Sequence, residues 1–254
     1  MERLDFAAQL ARKAGALAHT TFGTAASTAK GHQDVVTAMD LEVERFIRAA
    51  IAERFPDDAM IGEEDGGGGG DRVWIVDPID GTANYARGIP RYCVSIGYME
   101  NANPTVGVLF NPCTQELYSA ARGEGAWLNG RRMAVSGCPR FDTALVECGW
   151  STRRPTADYL ALLDRVLAAG GSIRRAGSGA LGLADVAAGR IEGYCELHIN
   201  SWDCAAGLLL VTEAGGHVSD FFAGDGLAAG NPLLATNAEL CATLAEVVGI
   251  PIKR

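Results

Sequence analysis

An apolar run at residues 73–76 leads directly into two aspartates, and this junction restricts the fold more than any other feature of the sequence. The run is short and apolar throughout, which is typical of a buried strand. Asp77 and Asp80 follow it, and the ring of Pro78 between them stiffens the turn. Because α/β proteins place functional groups at the ends of their strands, we expect both carboxylates to lie in a functional site.

The spacing of these carboxylates indicates a cation site. Two carboxylates three residues apart on a stiff turn repel each other unless they share a cation. Hard divalent ions such as Mg²⁺ prefer oxygen ligands, which Asp77, Asp80 and a backbone carbonyl group could supply. Gly81-Thr82 is expected to begin a helix whose free N–H groups suit a phosphate group. The structural alternative is that Asp77 ends a surface strand and Asp80 caps a helix.

Composition and charge limit the classes of protein to which the chain can belong. With 254 residues, of which 48% are hydrophobic and 21% charged, it is long enough for one large or two small globular domains. Its 22 basic and 31 acidic side chains leave a net charge of −9, which argues against nucleic acid as a partner. An acidic protein can still bind an anionic substrate if its carboxylates first collect metal cations.

The expected compartment is the cytoplasm, with no membrane as a partner. No apolar stretch approaches the roughly 18 residues of a membrane span, and the start of the chain is charged and amphipathic, unlike a signal sequence. The seven cysteines are scattered without a Cys-x-x-Cys pair, which favours neither a disulfide framework nor a zinc ribbon.

Residue spacing predicts two halves, 1–137 and 138–254. The first is expected to contain a helix that begins after Thr37 and an antiparallel meander that includes the hairpin turn Asn129-Gly130. In the second half helices alternate with strands, and Asn237 is expected to cap the final helix. We therefore expect an α+β first half and an α/β second half.

Three separated acidic segments together resemble one known family. They are Gly62-Glu63-Glu64, residues 74–85 (WIVDPIDGTANY) and residues 202–207 (WDCAAG), the last followed by TEAGG at 212–216. This combination resembles the inositol monophosphatase family, which consists of Mg²⁺-dependent, lithium-sensitive phosphomonoesterases. The resemblance implies a layered α-β-α-β-α sandwich of the sugar phosphatase type, a homodimer and a small phosphorylated metabolite as substrate.

The resemblance also implies a role for each site residue. Thr82, with Asp40 behind it, would orient and deprotonate the attacking water, and Glu64 would support the site. Two or three Mg²⁺ ions would be held by Glu63, Asp77, the Ile79 carbonyl group, Asp80 and Asp203. The phosphate group and the leaving alcohol would be contacted by Asp80, Gly81, Thr82, Gly177, Ser178, Gly179, Glu196 and Asp203.

The substrate expected first is myo-inositol 1-phosphate, hydrolysed by direct in-line attack of water. Histidinol phosphate is an alternative substrate, because its amine would bind an acidic side chain in the site wall, such as Glu196. Fructose 1,6-bisphosphate is another substrate that the same scaffold accepts.

Other interpretations compete with a phosphatase. Residues 177–182 (GSGALG) fit the G-x-G-x-x-G pattern of an NAD(P)-dependent oxidoreductase, but the run before them is short and charged, unlike a buried parallel strand. A non-catalytic metal- or phosphate-binding protein on the same scaffold is a third interpretation. Five consecutive glycines at 66–70 predict a flexible loop tip, which is either a plain solvent loop or a flap.

Overall fold

The computed structural model describes residues 2–31 and 34–253, and in that part of the chain eight α-helices accompany two large sheets. The helices are α1 Glu2–His19, α2 Ala38–Arg54, α3 Thr82–Ala86, α4 Thr156–Ala168, α5 Gly179–Ala187, α6 Ser201–Glu213, α7 Gly226–Ala229 and α8 Cys241–Val248. A small hairpin of β1 (Ser27–Gly31) and β2 (Asp34–Thr37) precedes α2.

The first large sheet has eight strands in the order β10-β9-β8-β7-β6-β5-β3-β4. Its strands are β3 Ala59–Gly62, β4 Gly66–Gly67, β5 Arg72–Asp80, β6 Cys93–Glu100, β7 Asn103–Asn111, β8 Glu116–Ala121, β9 Gly125–Leu128 and β10 Arg131–Arg132. Strands β3 and β5 are parallel and the other neighbours are antiparallel. The expected meander is therefore present, and β9 and β10 join through Asn129-Gly130, both with positive φ as a tight hairpin turn requires.

The second large sheet has five strands in the order β12-β11-β13-β15-β14. Its strands are β11 Leu145–Cys148, β12 Ser172–Arg174, β13 Gly193–Ile199, β14 His217–Val218 and β15 Asn231–Thr236. Strand β11 runs parallel to both β12 and β13, while β15 is antiparallel to its neighbours.

Three buried apolar clusters show how the layers stack. Helices α1 and α2 pack on one face of the first sheet through residues such as Leu10, Ile47 and Val76. Helices α5 and α6 lie between the two sheets, and helices α4 and α8 cover the outer face of the second sheet. Each helical layer buries its apolar stripe against a sheet, which is how such layers become stable. The order is therefore α-β-α-β-α, as the family resemblance implied.

Strand β5 differs from the sequence prediction in an informative way. The strand was expected to end at Val76 and a turn to follow, but β5 continues to Asp80. Asp77 pairs with Ser95 and Asp80 with Cys93, so β5 has one extra residue over this interval and forms a bulge. Pro78 lies within it, because a residue without an N–H group is tolerated where the ladder of hydrogen bonds is interrupted.

The glycine run and the last helix also differ from expectation. Gly66 and Gly67 form a short strand paired with β3, so only residues 68–70 remain a loop. A Cβ atom on Gly67 would lie 1.8 Å from the carbonyl oxygen of Met60, and its φ is +140°, so this pairing requires glycine. Asn237 does accept a hydrogen bond from the N–H of Leu240, but α8 begins only at Cys241.

We retain the division into residues 1–137 and 138–254 as a proposal about sequence organisation. The central apolar cluster takes side chains from both parts, for example Leu109 of β7 and Leu210 of α6. In the described part of the chain, no helix combines the length and apolarity that crossing a bilayer requires.

Candidate active site

The bulge in β5 turns Asp77 and Asp80 toward one cluster. Residues three apart on a regular strand point to opposite faces of the sheet, and one extra residue returns them to the same face. Asp203, on the first turn of α6, joins them. Each of the three carboxylates has an oxygen atom within 4.8 Å of an oxygen of the other two. The tertiary fold therefore brings together the acidic residues of two distant sequence segments.

Glu63 reaches the same region from the turn that follows β3. This strand is parallel to β5, and the N–H of Glu63 donates to the carbonyl oxygen of Val76. The side chain borders the same cavity as Asp80 and Asp203. Its charge also acts on Asp77, as described below, so Glu63 belongs to the acidic group.

Burial and mutual repulsion disfavour negative charge in this cluster. Asp77 is 1% exposed, and burial, followed by the charges of Glu63 and Asp80, raises its pKa well above the ordinary value. Burial raises the pKa of Asp80 to about 6 and that of Asp203 to about 7. Several carboxylates held this closely are costly unless a cation or protons neutralise them.

The donor set fits a hard divalent cation. The converging atoms are carboxylate oxygens, and the carbonyl oxygen of Ile79 lies inside the same bulge. Mg²⁺ and ions like it prefer oxygen ligands, whereas zinc and softer metals favour sulfur and nitrogen. The residues therefore suit a metal ion, and the repulsion among them gives a physical reason to bind one.

Asp80 is held by the first turn of α5. The hydroxyl group of Ser178 donates to its carboxylate, and the backbone N–H groups of Gly179 and Ala180 donate at 3.2 and 3.0 Å. These bonds lower the pKa of Asp80 against the effect of burial. The sequence Gly177-Ser178-Gly179 was expected to contact a substrate alcohol. All three residues do line the cavity, but the described contact of the Ser178 side chain is with Asp80.

Thr82 and Asp40 form the expected hydroxyl–carboxylate pair. The hydroxyl of Thr82 lies 3.0 Å from a carboxylate oxygen of Asp40 and 3.0 Å from the carbonyl oxygen of Ile79. The other oxygen of Asp40 accepts from the N–H and hydroxyl of Thr37 at 2.8 and 2.5 Å. Thr37 is the N-cap of α2, so helix capping also orients this carboxylate. Burial raises the pKa of Asp40.

Gly81 makes the sharp change of direction between β5 and α3. Its φ is +94°, and a Cβ atom would lie 3.0 Å from the carbonyl oxygen of Arg91, so both conformation and space favour glycine. Helix α3, expected to begin at this point, is only five residues long.

A cavity of about 450 Å³ opens over the acidic cluster. Glu196 forms part of its wall and is buried, and the hydroxyl of Tyr194 donates to it at 2.6 Å. Burial raises the pKa of Glu196 to about 7. Arg175 lines the same cavity, and its guanidinium lies 5.6 Å from the ring centroid of Trp150. The cavity therefore has acidic groups at its base and an arginine on its wall.

Some site residues were not anticipated from the sequence. Glu44 of α2 accepts hydrogen bonds from the backbone of Glu64, and Arg48 supports it. A Glu–Arg pair four residues apart is visible in the sequence, but such pairs commonly lie on solvated helix faces. Trp150 and Arg175 occur in segments with no recognisable pattern. No local signal distinguishes these four residues.

The buried carboxylates and the adjacent hydroxyl–carboxylate pair indicate the class first: an enzyme whose acidic site could hold metal ions. The model of the inositol monophosphatase family matches residues 1–249, and the chain belongs to this family. It is therefore a phosphoric monoester hydrolase. Family membership confirms the resemblance found in the three motifs and removes the oxidoreductase interpretation.

Three proteins similar to the chain carry different names. The Nus factor SuhB of Xylella fastidiosa is 43% identical over 199 residues, which cover 77% of this chain and 72% of that protein. The fructose-1,6-bisphosphatase/inositol-1-monophosphatase of Thermotoga maritima is 40% identical over 223 residues, with 87% and 86% covered. The crystal structure of the extragenic suppressor protein suhB from Bartonella henselae has a TM-score of 0.91 at 34% identity and covers 98% of both chains.

Proposed function

We propose that the chain hydrolyses myo-inositol 1-phosphate to inositol and phosphate, with Mg²⁺ as its cofactor. The observation that carries the proposed hydrolysis is the convergence of Asp77, Asp80 and Asp203 beside the Thr82–Asp40 pair. The inositol ester is the substrate that the family resemblance implies, and the name of the Thermotoga maritima relative includes inositol-1-monophosphatase. Two or three ions are proposed per site, held by Glu63, Asp77, the Ile79 carbonyl group, Asp80 and Asp203. When bound, such ions lower the pKa of a ligated water and stabilise negative charge on the phosphoryl group and the leaving oxygen.

Thr82 and Asp40 are proposed to move the proton of the attacking water. As the water oxygen bonds to phosphorus and the P–O bond to the leaving alcohol breaks, Thr82 Oγ1 accepts a water proton and passes its own hydrogen to Asp40. The departing alkoxide takes a proton from a solvent water and leaves as the alcohol. The raised pKa of Asp40 makes this carboxylate a better proton acceptor than an exposed aspartate. Its bonds from Thr37 fix its orientation throughout.

Substrate recognition is proposed to use both ends of the cavity. The N–H groups of Gly81 and Thr82 would bind the phosphate group, with Asp80 and Asp203 close by. Glu196 and the backbone of Gly177 and Gly179 would meet hydroxyl groups of the leaving alcohol. Because the Ser178 hydroxyl is already bonded to Asp80, a substrate contact from this residue is expected from its backbone. Glu64 would support the metal-binding turn.

A bisphosphorylated sugar is a second candidate substrate. Arg153 and Arg175 both line the cavity, and an arginine pair is suited to a second phosphate group. The name of the Thermotoga maritima relative includes fructose-1,6-bisphosphatase, which agrees with this candidate.

A phosphate-release panel tests the proposal. The purified chain is assayed with Mg²⁺ on myo-inositol 1-phosphate, fructose 1,6-bisphosphate and histidinol phosphate, with and without Li⁺. The highest kcat/KM is expected for the inositol ester, with inhibition by Li⁺. Asp77→Asn serves as the inactive control because it removes a proposed metal ligand. Preference for another ester would refute myo-inositol 1-phosphate as the substrate. No phosphate release from any of the esters would refute the proposed hydrolysis.

A cytoplasmic homodimer completes the proposal. All seven cysteines are free thiols, which suits a reducing compartment. Sedimentation equilibrium would show a mass twice that of the 26.6 kDa chain if the dimer forms.

A further inference from the structure

Glu44 is a buried carboxylate outside the acidic cluster. It lies on α2, is 0% exposed, and points toward the turn that follows β3. One of its carboxylate oxygens accepts from the backbone N–H of Glu64 at 2.8 Å, and the other accepts from the N–H of Asp65 at 3.0 Å. The two N–H groups directly follow Glu63, so Glu44 binds the backbone of the turn that carries this residue.

Arg48 completes the arrangement from one turn further along α2. Its guanidinium donates to Glu44 at 2.7 Å and to the carbonyl oxygen of Gly66 at 2.9 Å. The Glu44 carboxylate therefore has a cationic partner as well as two N–H donors, which a buried charge requires. Glu44 and Arg48 together contact three consecutive residues of the backbone after Glu63, namely Glu64, Asp65 and Gly66.

Gly62 provides the space for this contact. A Cβ atom at this position would lie 2.3 Å from a carboxylate oxygen of Glu44. The carboxylate therefore occupies the volume that a side chain on β3 would fill. The glycine and the glutamate fit each other, and together they bring α2 against the backbone of the turn.

The pairing of β3 with β4 closes the turn, but β4 begins a run of glycines. Residues 66–70 are all glycine, and glycine restricts the backbone less than any other residue. The side chains of Glu44 and Arg48 therefore add to this pairing in limiting the conformations of the turn.

We propose that Glu44 is a positioning residue that fixes the turn carrying Glu63 and so raises the affinity of the site for divalent cations. This inference rests on the proposed function, in which Glu63 is a metal ligand. One buried face of helix α2 then supports the site at two points. Glu44 fixes the turn after β3, and Asp40, one turn before it on the helix, orients Thr82. Glu44 itself touches neither substrate nor metal.

The test is Mn²⁺ binding to the full chain, measured by isothermal titration calorimetry without substrate. Glu44→Gln preserves the size of the side chain, but it removes the charge and points an amide N–H₂ group at a backbone N–H. We expect Mn²⁺ affinity to fall by about tenfold, as for other groups that orient metal ligands. In the phosphate-release assay the half-saturating Mg²⁺ concentration should rise similarly, while kcat recovers at saturating Mg²⁺.

Glu42→Gln is the matched control, because it makes the same chemical change at an exposed position of the same helix. It should leave Mn²⁺ affinity unchanged. If Glu44→Gln lowers the melting temperature but binds Mn²⁺ like wild type, Glu44 is only structural and the proposal is wrong. If Glu44→Gln does not fold, Arg48→Gln should give a smaller loss of affinity in the same direction, and unchanged affinity there also refutes the proposal. A wild-type chain that binds no Mn²⁺ would instead refute the metal site itself.

Discussion

Ser178 donates a hydrogen bond to the carboxylate of Asp80, although the two residues are 98 positions apart in the sequence. The bond joins the first turn of α5 to the end of β5, and so connects the second layer of helices to the first sheet. It also lowers the pKa of Asp80, in opposition to the effect of burial. A single hydroxyl therefore stabilises both the fold and the ionised form of a proposed metal ligand.

Ser178→Ala should destabilise the protein, because a buried carboxylate loses a donor. Hydrogen bonds to charged groups contribute about 1.5–3 kcal/mol, and we expect a loss of this size in the free energy of unfolding. Urea denaturation in Mg²⁺-containing buffer measures it. Ser201→Ala is the control. In the described part of the chain the buried hydroxyl of Ser201 has no hydrogen-bond partner, so its removal should change the free energy of unfolding little. Equal losses in the two variants would contradict the role given to Ser178.

Thr82→Ala should reduce kcat far more than it changes KM. The hydroxyl transfers a proton only during the reaction, and such transfer contributes roughly 10²–10⁴ in rate. Steady-state kinetics on the best substrate of the panel measure the separate effects. Thr82→Ser keeps the hydroxyl near Asp40 and should retain most of the rate. A Thr82→Ala enzyme with normal kcat would show that the water is activated without this residue.

The metal-free protein should become less stable as the pH rises. In the folded chain the pKa of Asp80 is about 6 and that of Asp203 about 7, both above the value of about 3.9 in an unfolded chain. The folded state therefore binds more protons than the unfolded state between about pH 4 and pH 7, and stability falls across this window. Glu196, with a pKa of about 7, also makes the folded state less stable as the pH rises.

Thermal unfolding in EDTA checks this pH dependence. We expect the melting temperature to be lower at about pH 8 than at about pH 5 by at least about 4 °C, since 1 kcal/mol corresponds to about 2–4 °C for a chain of this size. Mg²⁺ should reduce the difference because it stabilises the ionised carboxylates. Asp203→Asn should also reduce it, because one titrating group is gone. A melting temperature that rises with pH in EDTA would contradict the prediction.

Glu196→Gln should impair hydrolysis of a polyol phosphate selectively. The carboxylate is proposed to accept from a hydroxyl group of the leaving alcohol, and such a bond is worth roughly tenfold to a hundredfold in kcat/KM. The comparison substrate is p-nitrophenyl phosphate, whose leaving group has no hydroxyl for Glu196 to bind. Its hydrolysis should be nearly unchanged. A similar loss on both substrates would show that Glu196 acts on the acidic cluster and not on the alcohol.

Several local features could be predicted because neighbouring residues determine them. The helix beginning after Thr37 follows from its apolar spacing and cap, and it runs over Ala38–Arg54. Asn129-Gly130 predicts a hairpin because few residue pairs adopt positive φ at both positions. The family motifs preserve residue types and order, so the acidic residues could also be named.

Other features depended on partners outside the local segment. The turn expected after Val76 is a bulge inside β5 because β6 continues to pair with the strand beyond Pro78. Two glycines of the run 66–70 became a strand because β3 offers them an edge. In each case the neighbouring strand, and not local preference, decided the conformation.

The sequence by itself determined the chemical groups of the site: carboxylates for cations, a hydroxyl for proton transfer, and glycine where the chain reverses sharply. Only the tertiary structure decided which groups meet. It bonded Thr82 to Asp40, Ser178 to Asp80 and Glu44 to the turn after Glu63. The physical reason is that propensity and turn chemistry act over a few residues, whereas these contacts arise when whole layers of helices and strands bury their apolar faces against one another.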